Sequence, residues 1–265
     1  MFAKFKLQAK MTVLKNYKYL FLPILLYEIF TSLIINCFDF CFSTNYPTFL
    51  LILFISLLIS IEFVLLPTIV VIYFRIGICI LNNKNFHKTD IISFLTRNNL
   101  LKIILVSFIP NLVDISYSLF KCYKAQMNSS IFYFIINFLL LIITYYTEYK
   151  FFICNYELAL MRYTPKDILC FSFSTMKHKL LNYIKYDISF IFWDLIIIIG
   201  GIVGVSVLNL INIEVMHFEI LISSAFGIMF FYRPYRFFSN LLYSEHLIKN
   251  MAIQRIIETK DGSVC

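Results

Sequence analysis

Glu28, Glu62, Asp194 and Arg233 stand inside long apolar stretches, and Arg236 follows Arg233 by three residues, close to one helical turn. An ionisable side chain in hydrocarbon costs at least ~2.5–3.5 kcal/mol on insertion scales, so each of these needs a partner or a task. At ~1.5 Å per residue across a ~30 Å core, Glu28 lies about 12 Å above the inner face, Glu62 and Arg233 about 10 Å and Asp194 about 9 Å. These four charges from four spans therefore share one layer. Arg233 is expected to pair with Asp194 or Glu62, with Arg236 one turn below. Such a layer either fixes helix register or handles a proton or a substrate.

Asp114 follows Pro110 by four residues near the middle of another apolar stretch. A helix broken there would free backbone carbonyls for a cation or substrate, whereas a plain kink would not. Gly200-Gly201-Ile202-Val203-Gly204 places Gly200 and Gly204 at the Gly-xxx-Gly spacing that lets helices approach closely in lipid. It is no nucleotide loop, because no strand precedes it and no Lys-Ser/Thr follows. An ATP-driven role would need a separate ATPase subunit. Catalytic sets are missing too: there is no His-Glu-x-x-His, and His246 with Asn250 lacks the Glu-Glu pair that would complete a membrane protease site. His87, His178, His217 and His246 fall in loops or tails, so the chain is expected to be no enzyme and to need no metal or cofactor.

The elements that position these residues follow from composition. Of 265 residues, 60% are hydrophobic and only 14% charged, with a mean hydropathy of +0.81. That balance excludes ordinary soluble domains and disordered tails, and 6 Gly and 6 Pro are too few turn residues for a many-stranded β protein. A span needs ~20 apolar residues. Six stretches approach this length, near 20–41, 49–74, 103–120, 131–149, 188–211 and 219–242, followed by a cytoplasmic tail over 243–265. The expected fold is an all-α polytopic bundle, one integral domain over 1–265, with amphipathic helices on its inner side. The first span has no small-residue cleavage site and reads as retained, not as a signal peptide.

With both termini inside, every one of the 23 Lys and Arg except Lys121 and Lys124 falls in an inner segment. That asymmetry sets the orientation and places the chain in the cytoplasmic membrane. The net charge of +8 is then accounted for by topology and contact with anionic lipid, and nucleic-acid binding is not expected. Inner segments 82–102 and 150–187 carry apolar residues such as Ile91, Phe94, Ile168 and Phe171 among basic ones, the pattern of helices lying in the interface. The seven cysteines form no CxxC. Cys37, Cys41 and Cys122 fall near the outer side, where one bridge would be within reach, but most of the cysteines read as small apolar fillers.

Three segments carry a likeness to a known family: Leu7 to Asn16; Ser174-Thr175-Met176-Lys177 running into Ser189-Phe190 and Trp193; and Tyr232-Arg233-Pro234-Tyr235 with Asn240 and Tyr243. Together they resemble a family of uncharacterised multi-spanning bacterial membrane proteins, domain of unknown function number nine hundred seventy-five. The departures are His178, where a glycine of a basic loop is expected, and a reduced acidic turn at Thr164-Pro165-Lys166-Asp167. The resemblance implies fold and location and no chemistry.

The function expected from these residues is non-enzymatic handling or transport of a small molecule, ion or peptide through the charged layer. The alternatives are an accessory, immunity or scaffold role through the cytoplasmic loops or a homo-oligomer contact at Gly200 and Gly204, and an intramembrane enzyme. Neutralising Glu62 and Asp194 separates the first two. A transporter would lose activity while still folding, and a scaffold would respond only through stability.

Overall fold

The structure is a computed structural model that describes residues 2–43, 48–82, 91, 93–124, 131–177, 179–193, 195, 199 and 232–260. Every regular element among them is helical. In chain order they are α1 (Phe2–Ser43), α2 (Thr48–Ser60), a π-helical turn (Ile61–Leu65), α3 (Leu66–Leu81), α4 (Arg97–Lys124), α5 (Ile131–Phe151), α6 (Cys154–Leu160), α7 (Pro165–Thr175), α8 (Leu180–Ile188) and α9 (Arg233–Lys260).

Among the described residues, three stretches are long and apolar enough to cross a membrane: Ile55–Leu81, Arg97–Tyr117 and Phe134–Leu160. They correspond to the second, third and fourth expected spans, and the second runs past its expected end at 74. The expected span 20–41 is the C-terminal part of α1. Most of 188–211 and the first half of 219–242 lie outside the described residues, as do Asp194, Gly200 and Gly204, while 232–242 begins α9. Nothing in the described residues bears on a bridge among Cys37, Cys41 and Cys122; Cys79, Cys154 and Cys170 are free thiols.

α1 joins the basic lead-in and the first apolar stretch into one helix that bends at Asn16, where φ is −115° and ψ 20°. The Asn16 side chain donates to the Thr12 carbonyl at 3.0 Å, the acceptor that a regular turn would give to the backbone N–H of residue 16. One face of α1 buries Ala9, Val13, Leu20 and Ile24 against α3 and α9. The opposite face leaves Leu7, Met11 and Leu14 exposed at helical spacing among lysines.

Outward positions of the membrane-length helices are apolar as well. Leu105, Phe108 and Leu112 on α4, and Phe134, Phe138, Leu139 and Ile142 on α5, are each about half exposed or more. A surface so rich in large apolar side chains is compatible with a membrane protein. In lipid the hydrophobic effect gives helices little reason to associate, so close packing and buried hydrogen bonds must do it. α3 and α9 meet where Gly77 removes a side chain: a Cβ there would sit 3.2 Å from Leu241 Cδ1 and 3.4 Å from Phe238 Cε2.

Segment 150–187 forms short helices with one face packed inward, while Tyr163, Phe173 and Leu181 stay exposed. α6 ends on Met161, whose φ of 54° is left-handed. α7 then starts with Thr164 as its cap, accepting from the Asp167 backbone N–H at 3.3 Å, and with Pro165 at its first turn. The residues read as a reduced acidic turn are thus a helix cap. α8 carries Tyr183 and Tyr186 into an aromatic core with Tyr149, Phe190, Tyr232 and Tyr243. The Tyr186 and Tyr243 rings stack at 4.2 Å, and Phe2 meets both edge-on at 5.7 Å. The expected tail 243–265 is helical through Lys260, with Tyr243 and Leu247 buried.

Candidate functional site

Proline places the first polar feature. Pro67 has no N–H, and the chain before it is wound as a π-turn, in which the Leu66 N–H bonds to the Ile61 carbonyl five residues back. In the same register the Glu62 carbonyl would need the N–H of residue 67, and proline cannot supply it. Asn111 of α4 fills the gap, its Nδ2 donating to the Glu62 carbonyl at 2.9 Å. The next residue along that carries a hydroxyl, Thr68, donates to the Val64 carbonyl at 2.6 Å.

α4 runs unbroken through Pro110, so of the two alternatives at that proline the broken helix does not occur. One turn of surrounding backbone holds the helix together, and the proline costs only the N–H that Val106 would otherwise receive. Asp114 sits one turn further on and remains half-buried.

α9 places the cations. Arg233 Nε lies 2.9 Å from Glu28 Oε1 on α1, an ion pair by distance with no N–H aligned on that oxygen. The expected partners were Asp194 or Glu62. Among the described residues the partner is Glu28 and not Glu62, because the α1–α9 contact sets Glu28 against Arg233; Asp194 lies outside the described residues. Arg236, one turn on, donates from Nη2 to Asp187 Oδ1 at 2.8 Å and from Nη1 to the Tyr232 hydroxyl at 3.0 Å. Its guanidinium also lies 5.6 Å from the Phe190 ring centre. One helix thereby bridges α1 and α8 by charge.

Pro234 and Tyr235 belong to the start of α9, where the Pro234 carbonyl accepts from the buried Tyr73 hydroxyl at 2.7 Å. Lys6 of the lead-in donates to the Ser189 carbonyl and lies 4.0 Å over the Phe190 ring. Burial, and then the nearby Arg236 charge, hold the Lys6 amine below its ordinary value. Trp193 is half exposed. Two of the three segments that carry the family likeness therefore meet in space.

Among these elements opens a cavity of about 370 Å³. Its walls include Glu62, Pro110, Asn111, Asp114, Arg233 and Arg236, gathering most of the polar layer expected from sequence together with the proline site expected to be separate from it. Glu28 is not in its wall and acts through Arg233. The cavity also takes in Glu148 of α5 and Asp187 of α8, which sequence reasoning missed as site residues. Glu148 stood at the expected end of a span and Asp187 just before the start of another, so both were read as boundary charges. The signal was present all the same: Glu148 falls four residues after Thr144 and eleven after Asn137, on a mostly apolar helix. The remaining walls are largely aromatic and apolar, with Tyr27, Phe74, Phe151, Phe152 and Phe237 among them.

Among the described residues, Glu62, Asp114 and Glu148 have no Lys or Arg in ion-pair contact, while Glu28 and Asp187 have one each. No three His, Cys, Asp or Glu side chains among the described residues converge closely enough to hold a metal ion. His246, remote from the cavity on α9, pairs its Nε2 with Asn250 Nδ2 at 2.7 Å, with the Phe5 ring 5.1 Å away.

No protein-family model matches the chain, and no curated protein and no solved structure matches it either.

Proposed function

We propose that this chain is a polytopic protein of the cytoplasmic membrane, with six spans and both termini inside, that admits a small molecule or ion into the polar cavity between its helices without catalysing a reaction. The observation that carries this reading is the cavity itself. Carboxylates from the π-turn, α4, α5 and α8 and two arginines from α9 converge on one space of about 370 Å³. The helices around it present apolar residues outward. Charged groups held at such depth are costly, and a layer that served only to fix register would be closed by pairing each acid with a base. Here three acids are left over. The volume is at the lower end of small-ligand pockets, which fits a small ligand and not a folded peptide.

The test is water access. In a variant whose native cysteines are replaced, Val70→Cys and Asn155→Cys on the cavity wall are exposed to a membrane-impermeant maleimide in proteoliposomes, with Leu105→Cys on the outer face of α4 as the lipid control. Labelling of the wall positions and not of Leu105→Cys supports ligand handling. Failure of both wall positions to react in folded protein makes the layer a dry structural device and ends this reading.

A further inference from the structure

The charges around the cavity do not balance, and the imbalance has a sign. Arg233 is met by Glu28 and Arg236 by Asp187, both at under 3 Å. Glu62, Asp114 and Glu148 have no such counterpart among the described residues. The largest stretch outside them, 200–231, cannot supply one, because it contains neither Lys nor Arg. Three carboxylates in one cavity of a low-dielectric bundle repel one another, and the arrangement is relieved by protons or by a bound cation.

The rest of the wall says which kind of cation. A bare metal ion would require several carboxylates gathered within coordination distance, and the described residues hold no such group. The same wall carries the aromatic rings of Tyr27, Phe74, Phe151 and Phe152. Aromatic rings hold an organic cation by their quadrupoles while giving its apolar body a surface to bury. We infer that the cavity binds a small organic cation, an alkyl- or aralkylammonium whose charged head lies among Glu62, Asp114 and Glu148 and whose body lies against the aromatic wall. This rests on the cavity reading above and deepens it to a substrate class.

The probe is phenethylammonium, titrated calorimetrically into the full chain in lipid nanodiscs, with phenethyl alcohol and hydrocinnamate as the neutral and anionic counterparts of the same body. Saturable binding of phenethylammonium alone is expected. Glu62→Gln, Asp114→Asn and Glu148→Gln, made singly so that at least one folds, are each expected to weaken it by about tenfold or more. Glu245→Gln, which removes a surface partner of Lys249, is expected to leave it unchanged. Equal binding of the alcohol or the hydrocinnamate, or affinity that none of the three substitutions alters, overturns the cation assignment. If Val70→Cys labels and phenethylammonium still does not bind, the cation assignment alone falls. If neither labelling nor binding is seen, both readings fall together.

Discussion

Replacing Asn111 by leucine, which keeps the volume and removes the donor, tests the link between proline, π-turn and cavity. The Glu62 carbonyl then loses its 2.9 Å bond from Asn111, and Pro67 cannot offer an N–H in exchange. A buried backbone acceptor left unpaired costs about 1–3 kcal/mol. Asn111 is only half-buried and borders a polar cavity, where a water can take over part of the bond, so the expected loss is near the lower end, about 1–2 kcal/mol. Pro67→Ala restores a backbone N–H to the same turn. In that background Asn111→Leu is expected to cost about 1 kcal/mol less than it does alone, since the carbonyl no longer depends on it.

The assay is equilibrium unfolding in mixed micelles titrated with SDS, followed by the fluorescence of Trp193, the sole tryptophan. All four chains of the cycle are compared at one lipid composition. Two results refute the reasoning: Asn111→Leu unfolding at the wild-type detergent fraction, or strict additivity of the two substitutions. Either would mean that the Glu62 carbonyl is satisfied elsewhere and that the π-turn stands without α4.

Glu28→Gln is expected to destabilise by about 1–2 kcal/mol in the same unfolding assay, less than a fully buried pair because the Arg233 side chain is 37% exposed, and Glu28→Gln with Arg233→Gln less than the two added. Gly77→Val is expected to cost about 1–3 kcal/mol and to loosen the α3–α9 contact, read as faster proteolysis near Leu241, because even a Cβ meets Leu241 at 3.2 Å. Burial, and then the charges of Lys179 and Lys249, hold His246 below its ordinary value of 6.5. The unfolded chain therefore takes up that proton first, and stability is lost as pH falls from 6.5 toward the lower folded value. His246→Gln should flatten the slope of the unfolding midpoint against pH in that window, and an unchanged slope would assign it to other groups.

What could be read from sequence alone was set by the period and rarity of residues. Apolar length fixed the helices around 55–81, 97–117 and 134–160 because little else accommodates such runs. The rarity of charge within apolar stretches singled out Glu28, Glu62 and Arg233, and the structure sets the last two at one cavity and Glu28 behind it. The partner of Arg233 was not legible, since a depth estimate gives height in the membrane but not angle around the bundle. That angle is decided by which helix neighbours which, and α1 against α9 is a contact between the two ends of the chain. The inward contacts of segment 150–187 were not legible for a related reason. Amphipathic spacing says that one face is apolar and leaves open what covers it, and here Tyr183 and Tyr186 are covered by Phe2, Tyr243 and Tyr149. Gly77 escaped notice because a single glycine in an apolar run has no spacing to mark it.

The cavity and the helix irregularities around it have a common origin. Pro67 and Pro110 lie on neighbouring helices, and each removes an N–H from a wall of the same space. A carbonyl without its own N–H is an acceptor aimed across the helix axis, and one of the two is occupied by Asn111, the residue directly after Pro110. The first proline thus creates an orphan acceptor, and the residue after the second delivers the donor. This ties Glu62, inside the π-turn, and Asp114, one turn after Pro110, to one local geometry through the Asn111 bond. A ligand that draws on both acids would therefore be felt at the Asn111 bond, and the unfolding cycle at Asn111 and Pro67 should show a larger coupling when phenethylammonium is present than when it is absent.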